Sequence, residues 1–438
     1  MSESANQRIS ESASQRMGDQ RRKVRIGIDY TAAARQRAGI GRYTRELVRA
    51  LLALAPPLIP PARRGPPRSG GEEGVASADI VGSECASVAS ADFVFFAAAG
   101  GLTDQGWRRE LERLGREVAA QVQVRALPLS DDWMARLWQR LRLPLPVEWV
   151  TGPLDVFYSP DFVLPPTRRN TRTLLTVHDL SFFHYPEAFV PALRDYLMRV
   201  APRSVERADV VLADSASTRA DVVSLLGVDP EKIHVLYCGV DARFCPEPAP
   251  GERDRLRARY GIDERPYILS VGTVQPRKNY VRLIQAFSTL NLPAECRLLI
   301  AGGRGWLYEG IEAAADEHSN VRLLGFVDDA DLPALYRQAA LFASVSLYEG
   351  FGIPVLEAMA CGTPVVCSNT SSLPEVGGEA ALLVDPLDVD GIAEALGRAL
   401  ADDGLRRGMV ERGLARAARF TWAAAARQLW EILVGQGG

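Results

Sequence analysis

Residues 346–366 read SLYEGFGIPVLEAMACGTPVV and form the strongest motif of the chain. The apolar run Leu341–Ser344 just before it is typical of a buried strand, so the stretch begins where a strand ends. Gly350 and Gly352 let the backbone approach a ligand closely, and Pro354 suits the first turn of a helix. The N-terminus of that helix offers free N–H groups and a partial positive charge, which predicts a phosphate site.

Two glutamates flank this glycine loop, eight positions apart. Glu357 lies about one turn into the predicted helix, where its carboxylate can accept hydrogen bonds from a vicinal diol such as a ribose. Glu349 lies where the loop begins and can accept hydrogen bonds from the hydroxyls of a second sugar. Taken alone, each residue is equally well explained as an ordinary acid, solvated in a loop or favoured by a helix dipole. Together with the loop, the pair predicts a site for a sugar, a diphosphate and a ribose in a row.

Strand-like and helical stretches alternate along the rest of the chain. In the second half the predicted strands are 267–271, 297–301, 321–324, 341–344, 364–367 and 381–384, with helices at 280–290, 332–339, 354–360 and 392–400. In the first half the predicted strands are 23–29, 93–97, 122–127, 156–158, 173–177, 210–212 and 233–236. This alternation predicts an α/β fold with two Rossmann-like, doubly wound domains that face each other across a cleft.

The length of 438 residues exceeds one comfortable core and favours two domains. We predict a first domain at 23–250 and a second at 251–415, joined through a proline-rich linker. The polar residues 1–22 predict a disordered tail, and residues 56–90, rich in Pro, Gly and Ser, predict a flexible loop inside the first domain. Residues 416–438 predict a terminal helix that packs back on the first domain.

The composition excludes several classes of protein. A net charge of −3 and a pI near 6.0 do not favour nucleic-acid binding. The six cysteines form no CxxC pair, and the four histidines give no clustered metal signature. No window reaches the roughly 18 consecutive apolar residues of a membrane span. We therefore expect a cytoplasmic protein without a metal or a nucleic-acid partner, and its association with the inner face of the membrane stays open.

Residues 133–143 (WMARLWQRLRL) place apolar side chains at helical spacing, with arginines between them. One interpretation is a helix that lies on a membrane surface. The other is a helix packed on its own domain, with arginine stems over apolar surface. The short length and the following Pro144 favour the packed helix, and both interpretations stay open at this point.

A second candidate patch, SVGTVQPRKN at 270–279, follows a predicted strand and precedes a predicted helix. Arg277 can bind a phosphate in a two-pronged way, and Lys278 can bind it as a point charge. The adjacent pair can neutralise a diphosphate and stabilise it as it leaves, although a solvated loop would also explain these charges.

Two further patches lie in the first domain. His178 follows a predicted strand and can reach into the cleft from the strand end, with a packed core histidine as the ordinary alternative. Asp179 either orients His178 or caps the next segment, and we expect His184 to pack or to shape the acceptor side. Gly39 and Gly41 form a loop after the first strand, which either approaches a ligand or is simply a tight turn.

The stretch 346–366 resembles the E-x7-E element of the retaining GT-B glycosyltransferases of family 4, and the composite pattern is highly specific. The resemblance extends from about residue 25 to the C-terminus and is densest over 267–385. It implies a GT-B fold in which Glu349 contacts the donor sugar and Glu357 binds the ribose of the nucleotide.

The resemblance also assigns roles to both glycine loops. The amides of Gly350 and Phe351, with Gly352 beside them, would meet the sugar or the phosphate. Gly39 and Gly41 are similar to the first glycine loop of the family, which approaches the donor phosphate and the acceptor.

The basic patch matches the family only in part. Lys278 matches the family lysine, but the arginine expected five residues earlier is Thr273, which follows Gly272. Arg277 would then supply the missing charge on the donor side. His178 is similar to the family histidine that lies near the donor sugar and the transferring centre.

The resemblance implies transfer of a hexose from a nucleotide-diphosphate sugar with retention, without a metal or other cofactor. Phe326 and Val327 occupy the place where the family commonly holds the nucleobase, largely through backbone. The PRKN and EGFGIP motifs look similar to mannosyl- and rhamnosyltransferases of cell-surface polysaccharide pathways, so GDP-mannose is the first expectation and UDP- or dTDP-sugars stay open. The acceptor is expected to be a glycan or a lipid-linked glycan. A sugar phosphorylase, a nucleotide-sugar epimerase and a non-catalytic nucleotide-sugar binder are the alternatives.

Overall fold

The computed structural model describes residues 23–36, 39–54, 91–117, 121–290 and 296–435. The predicted tail at 1–22 and the predicted loop at 56–90 lie outside the described residues. Within the described ranges, strands and helices alternate through two parallel sheets, and this α/β architecture confirms the fold class that the sequence predicts.

The sheet of the first domain has seven parallel strands in the order β3-β2-β1-β4-β5-β6-β7. The strands are β1 (Val24–Asp29), β2 (Ala91–Ala98), β3 (Gln121–Leu127), β4 (Val156–Ser159), β5 (Arg172–Val177), β6 (Val210–Ala213) and β7 (Ile233–Val235). Central strands such as β4 and β6 are buried along their whole length, as expected where helices cover both faces of a sheet. The strand order reverses between β1 and β4, and ligands of open α/β sheets bind at such a point.

The sheet of the second domain has six parallel strands in the order β10-β9-β8-β11-β12-β13. The strands are β8 (Tyr267–Val271), β9 (Arg297–Ala301), β10 (Val321–Gly325), β11 (Leu341–Ser344), β12 (Val365–Ser368) and β13 (Ala381–Val384). The order reverses between β8 and β11. The two motifs that the sequence singles out in this domain therefore follow the two strands that border the crevice.

Helices pack on both faces of the two sheets. In the first domain they are α1 (Thr31–Arg35), α2 (Ile40–Ala53), α3 (Gly106–Glu117), α4 (Asp131–Ala135), α5 (Glu148–Thr151), α6 (Ser181–His184), α7 (Pro191–Arg207) and α8 (Ala216–Leu226). They continue with α9 (Glu252–Tyr260), α10 (Tyr280–Ser288), α11 (Glu309–Asp316), α12 (Leu332–Gln338), α13 (Ile353–Ala360), α14 (Leu373–Gly377), α15 (Val389–Ala401), α16 (Asp403–Ala417) and α17 (Trp422–Val434).

The last helix, α17, returns to the first domain and packs against α2. Its end is fixed by Arg172, whose guanidinium donates to the carbonyl of Ile432 at 2.7 Å. Gln428 donates from Nε2 to the carbonyl of Val235 at 2.8 Å, at the end of the first sheet. The chain thus crosses between the domains twice, which limits how far they can separate without breaking these bonds.

The first glycine motif differs from the sequence prediction in its boundaries. The sequence predicts a loop that contains both Gly39 and Gly41, but α2 already begins at Ile40. Gly39 has a φ of 59°, in the left-handed region that favours glycine. A Cβ on Gly41 would lie 2.2 Å from the carbonyl oxygen of Gln36, so Gly41 is needed for close packing inside the helix rather than for a turn.

Residues 133–143 do not form the single helix that the sequence predicts. The helix α4 ends at Ala135, one π-helical turn follows at Arg136–Arg140, and Arg142 has a left-handed φ of 52° that prevents continuation before Pro144. One side of the segment packs on the domain, since Met134 is buried and Trp138 donates from Nε1 to the carbonyl of Leu145. The other side is exposed, with Trp133 at 53% and Leu141 at 62%. The packed interpretation therefore describes only half of the segment.

Candidate active site

Glu349 lies in the loop after β11 and is held by three donors of its own domain. Its carboxylate accepts hydrogen bonds from Lys278 Nζ at 2.6 Å, Ser346 Oγ at 2.6 Å and Arg277 Nη1 at 3.1 Å. Burial by itself would raise the pKa of Glu349, but the charges of Lys278 and Arg277 outweigh it and lower the pKa to about 2. The carboxylate is therefore ionised, fixed in position and well placed to accept further hydrogen bonds from sugar hydroxyls.

The two cations belong to a short 3-10 turn, Pro276–Lys278, that follows β8. Asn279 ends this turn with a φ of 60° and donates from Nδ2 to the carbonyls of Val345 and Pro386, which ties the turn to the loop after β11. Burial lowers the pKa of Lys278, and the charge of Glu349 opposes that change. Nε of Arg277 is buried and has no hydrogen-bond partner among the described residues. A buried donor of this kind is suited to a ligand oxygen such as that of a phosphate.

The glycine loop of the second domain touches the first domain through its backbone. A Cβ on Gly350 would lie 1.9 Å from the carbonyl oxygen of His178, so only glycine allows this approach. Thr218 Oγ1 lies within hydrogen-bonding distance of the carbonyls of both residues, at 3.3 Å from His178 and 3.2 Å from Gly350. The predicted donor loop and the predicted catalytic histidine are therefore neighbours across the cleft.

Glu357 lies in the second turn of α13 and is 1% exposed. Its Oε2 accepts a hydrogen bond from the hydroxyl of Tyr336 at 2.8 Å. Its Oε1 lies 2.6 Å from Nη2 of Arg42, which belongs to α2 of the first domain. Burial raises the pKa of Glu357, and the charge of Arg42 opposes that rise. The two predicted donor-binding glutamates are thus both buried and both paired, one within its domain and the other across the cleft.

His178 follows β5 and is held by both ring nitrogens. Nδ1 lies 2.7 Å from Asp214 Oδ2, and Nε2 lies 3.1 Å from the carbonyl oxygen of Pro160. Because both partners are acceptors, the imidazolium form, which donates from both nitrogens, fits best. Burial lowers the pKa of His178, but the charge of Asp214 more than compensates and raises the pKa to about 9. The structure therefore places a buried cation beside the glycine loop.

Asp179 caps the next segment and does not orient His178. Its carboxylate accepts hydrogen bonds from the amide and the hydroxyl of Ser181, at 2.9 Å and 2.6 Å. His184 packs at the domain interface, where its ring stacks on Tyr348 with centroids 5.0 Å apart. Asp221 accepts a hydrogen bond from Nε2 of His184 at 2.8 Å and another from the hydroxyl of Tyr348.

The other predicted donor-binding residues lie at strand ends around this centre. Gly272 and Thr273 follow β8 directly, and the side chain of Thr273 is exposed. Phe326 and Val327 follow β10, with Val327 buried and Phe326 47% exposed. Since β9 and β8 separate β10 from β11, the predicted nucleobase position lies well away from Glu349 along the same sheet edge.

Sequence reasoning missed three residues of the site: Arg42, Asp214 and Tyr336. Asp214 directly follows β6, the neighbour of β5 in the sheet, so its position beside His178 could have been inferred from two adjacent parallel strand ends. Arg42 directly follows Gly41 of the first glycine loop, but its partner is more than three hundred positions away. Tyr336 carries no local motif.

The described part of the chain was predicted from its sequence to hold neither a metal site nor a membrane span. No group of three or more His, Cys, Asp or Glu side chains there is placed to hold a metal ion. No helix in the same ranges combines the length and the apolar character that crossing a bilayer requires.

Comparisons with known families match both domains. The family described as "Glycosyl transferases group 1" matches residues 252–416. The family described as "Glycosyltransferase Family 4" matches residues 94–244. The first range contains the paired glutamates and the basic turn, and the second contains His178.

Individual proteins that the chain resembles are also glycosyltransferases or share their fold. The chain is 37% identical over 273 residues to an O-antigen chain mannosyltransferase B of Escherichia coli, which covers 61% of this chain and 71% of that protein. It is 33% identical over 264 residues to a serotype-specific mannosyltransferase of Escherichia coli, covering 58% of this chain but only 32% of that longer protein. Among solved structures, a sucrose-phosphate synthase from Thermosynechococcus elongatus aligns with a TM-score of 0.68 at 20% identity, over 93% of this chain and 98% of the other, which is a likeness of fold.

Proposed function

The chain belongs to the group 1 and family 4 glycosyltransferases and is a glycosyltransferase of GT-B fold, and on that premise we propose the reaction that it catalyses. It transfers a hexose, mannose, from GDP-mannose to a glycan or a lipid-linked glycan in cell-surface polysaccharide synthesis, with retention at the anomeric carbon. The observation that carries this proposal is the buried cluster of Glu349 with Arg277 and Lys278, beside the glycine loop that opens α13.

This cluster is suited to stabilise a diphosphate as it leaves the sugar. Lys278 and Arg277 form ion pairs with Glu349, and Nε of Arg277 has no partner among the described residues. Together with the free amides at the start of α13, they would stabilise the negative charge that develops on the leaving diphosphate. These fixed cations serve the purpose for which other enzymes use a metal ion, so we propose that transfer needs no metal.

The state of Glu349 supports retention without a covalent intermediate. Its carboxylate accepts three hydrogen bonds and its pKa is lowered to about 2, which makes it a poor nucleophile. We assign it to the hydroxyls of the donor sugar. The acceptor would then attack from the face that the diphosphate leaves, and the departing phosphate would take the acceptor proton. The imidazolium of His178, beside Gly350, would add positive charge near the transferring centre.

Mannose is proposed as the sugar because the two Escherichia coli relatives described above are mannosyltransferases. The nucleotide is proposed from the motifs PRKN and EGFGIP alone.

For the acceptor, the relevant feature is the exposed side of residues 133–143, where Trp133 and Leu141 lie among Arg136, Arg140 and Arg142. Exposed apolar side chains among arginines suit an anionic lipid surface, which would bring a lipid-linked acceptor to the cleft.

The test of the reaction is a transfer assay with GDP-, UDP-, dTDP- and ADP-sugars, with an extracted polyisoprenyl-linked glycan and a soluble mannoside as acceptors, with and without EDTA. We expect transfer from GDP-mannose, an α-linked product and no loss in EDTA. A β-linked product would overturn retention, and dependence on inorganic phosphate would indicate a phosphorylase instead.

The test of the membrane contact is co-sedimentation with vesicles that contain phosphatidylglycerol. We expect the double variant Trp133→Ser/Leu141→Ser to lose binding, while Leu387→Ser, at a second-domain residue that is 58% exposed, keeps it. Equal binding by both variants would contradict this contact.

A further inference from the structure

Arg42 of the first domain reaches into the predicted ribose position of the second. It lies in the first turn of α2, and its Nη2 is 2.6 Å from Oε1 of Glu357. The side chain of Arg42 is 14% exposed and that of Glu357 is 1% exposed. A buried ion pair between two domains is therefore formed at the residue that is proposed to bind the nucleotide.

The surroundings fix the guanidinium at this place. Its carbon lies 5.2 Å from the centroid of the Phe244 ring, a cation–π contact, and α2 is anchored by buried residues such as Leu47 and Leu51. The ion pair with Glu357 involves Nη2 alone, in a guanidinium that carries five N–H donors. The side chain is thus oriented, charged and able to bond several acceptors at once.

The second domain supplies its cations at the opposite end of the predicted donor. Arg277 and Lys278 both pair with Glu349, at the sugar end. The position where the family carries an arginine is Thr273, which is exposed and neutral. Arg243, which also lies near Phe244, is turned towards Asp241 at 3.6 Å. At the ribose end, Arg42 forms the ion pair with Glu357 among the described residues, and the charge of Arg243 also opposes the rise in the pKa of that carboxyl.

A diphosphate that joins a sugar at Glu349 to a ribose at Glu357 must lie between the two glutamates. We infer that Arg42 is a donor-binding residue contributed by the first domain, a role that rests on the proposed function. In the empty enzyme it neutralises Glu357. When the donor binds, the ribose hydroxyls donate to Glu357, and the guanidinium of Arg42 bonds an oxygen of the diphosphate next to the ribose. Arg42 supplies from across the cleft the charge that Thr273 does not.

The exchange has a physical basis in the cost of buried charges. Glu357 loses its contact with Arg42 only as it gains hydrogen bonds from the two ribose hydroxyls. In the same step, Arg42 gains the negatively charged diphosphate as its partner. The donor therefore binds fully only when both domains are close, because cations of both domains contact its diphosphate.

The test separates phosphate binding from ribose binding. We would measure the affinities of GDP, UDP, dTDP and ADP and of the four corresponding nucleosides for the wild type and for Arg42→Gln. For the nucleotide that the wild type prefers, we expect Arg42→Gln to weaken diphosphate binding by roughly tenfold or more and nucleoside binding by less than about twofold. The matched control is Arg49→Gln on the same helix, whose guanidinium pairs with Glu46 and Glu110 inside the first domain, and it should bind both ligands as the wild type does.

Arg42→Lys guards against a folding defect, because it keeps the charge beside Glu357. A lysine ammonium is a point charge without the planar donor array of a guanidinium, so diphosphate binding should weaken by roughly threefold while thermal unfolding stays close to that of the wild type. Unchanged or tighter diphosphate binding in Arg42→Gln would overturn the inference, and so would an equal loss for nucleoside and diphosphate. A wild type that binds none of the nucleotides would overturn the proposed function, and with it this inference.

Discussion

The two ends of the donor loop neutralise their glutamates in opposite ways. Glu349 has its countercharges, Arg277 and Lys278, within the second domain, and these contacts do not depend on where the first domain lies. Glu357, eight positions later, faces Arg42 of the first domain. A local ion pair is present in every arrangement of the domains, whereas a pair across the cleft exists only while the cleft is closed.

This difference suggests that the two glutamates of one motif, Glu349 and Glu357, serve two different tasks. On the proposed function, the Glu349 end is a catalytic centre built in advance, and its fixed charges cost no reorganisation during the reaction. On the same proposal, the Glu357 end is completed by domain closure, which would connect binding of the nucleotide to exclusion of water. Variants on each side should therefore differ in kind as well as in size.

The largest loss of activity is expected at Glu349, whose countercharges lie within its own domain. Glu349→Gln removes the anion between two buried cations and weakens the contact with the donor sugar, so kcat/KM should fall by about 100- to 1,000-fold. Steady-state kinetics with the preferred donor measure it. Glu394→Gln, an exposed glutamate on α15 of the same domain, is the control and should keep wild-type activity. A loss of less than about tenfold would remove Glu349 from the reacting centre.

His178 and Asp214 form a second ion pair within a single domain, the first, and its contribution to stability should depend on pH. The pKa of His178 is raised from 6.5 to about 9, so the stabilisation from its charged form is complete below pH 6.5 and is lost as the pH rises through 9. It amounts to at most about 3 kcal/mol. Asp214→Asn removes the charge that raises this pKa, so the difference in unfolding free energy between wild type and variant should shrink between pH 6 and pH 10, as urea denaturation would show. A constant difference over that range would contradict the ion pair, and His234→Gln, at an exposed histidine, serves as the control.

A change at Glu357, whose ion pair crosses between the domains, should affect mainly the binding of the donor. Glu357→Gln keeps the shape of the side chain but weakens its bonds to ribose hydroxyls, and it leaves Arg42 without an anion. We expect donor KM to rise by about 10- to 100-fold, with a smaller change in kcat, because the contact is made equally in the ground state and the transition state. If kcat fell as far as in Glu349→Gln, the division of tasks between the two ends would be wrong.

The same contrast explains what the sequence could predict. Glu349, Lys278 and Gly350 lie in short motifs at strand ends, so local pattern and topology were enough to place them at one sheet edge. The pair of Arg42 and Glu357 depends on how two separately folded domains are oriented, and no periodicity in the sequence encodes that orientation.

The fold shows the same limit at a smaller scale. Apolar runs gave the strands of both sheets, because parallel strands are buried on both faces. Gly41 was predicted to lie in a loop but belongs to α2, because its close contact with the carbonyl of Gln36 cannot be known from the sequence. Glycines required by close packing and glycines required by turns look alike in a sequence.

The smallest effect is expected at a second carboxylate that crosses the cleft outside the donor loop. Glu375 of the second domain accepts a hydrogen bond at 3.0 Å from the amide of Ala216, the first residue of α8 in the first domain. It accepts another at 2.6 Å from the hydroxyl of Tyr237, which follows β7. Glu375→Gln should weaken this tie by about 1 kcal/mol, since an anion at a helix N-terminus contributes on that scale. Closure would then be less favourable, and donor affinity measured by calorimetry should fall about threefold to fivefold with kcat nearly unchanged. A loss as large as that of Glu357→Gln would mean that closure as such, and not the exchange at Arg42, controls donor binding.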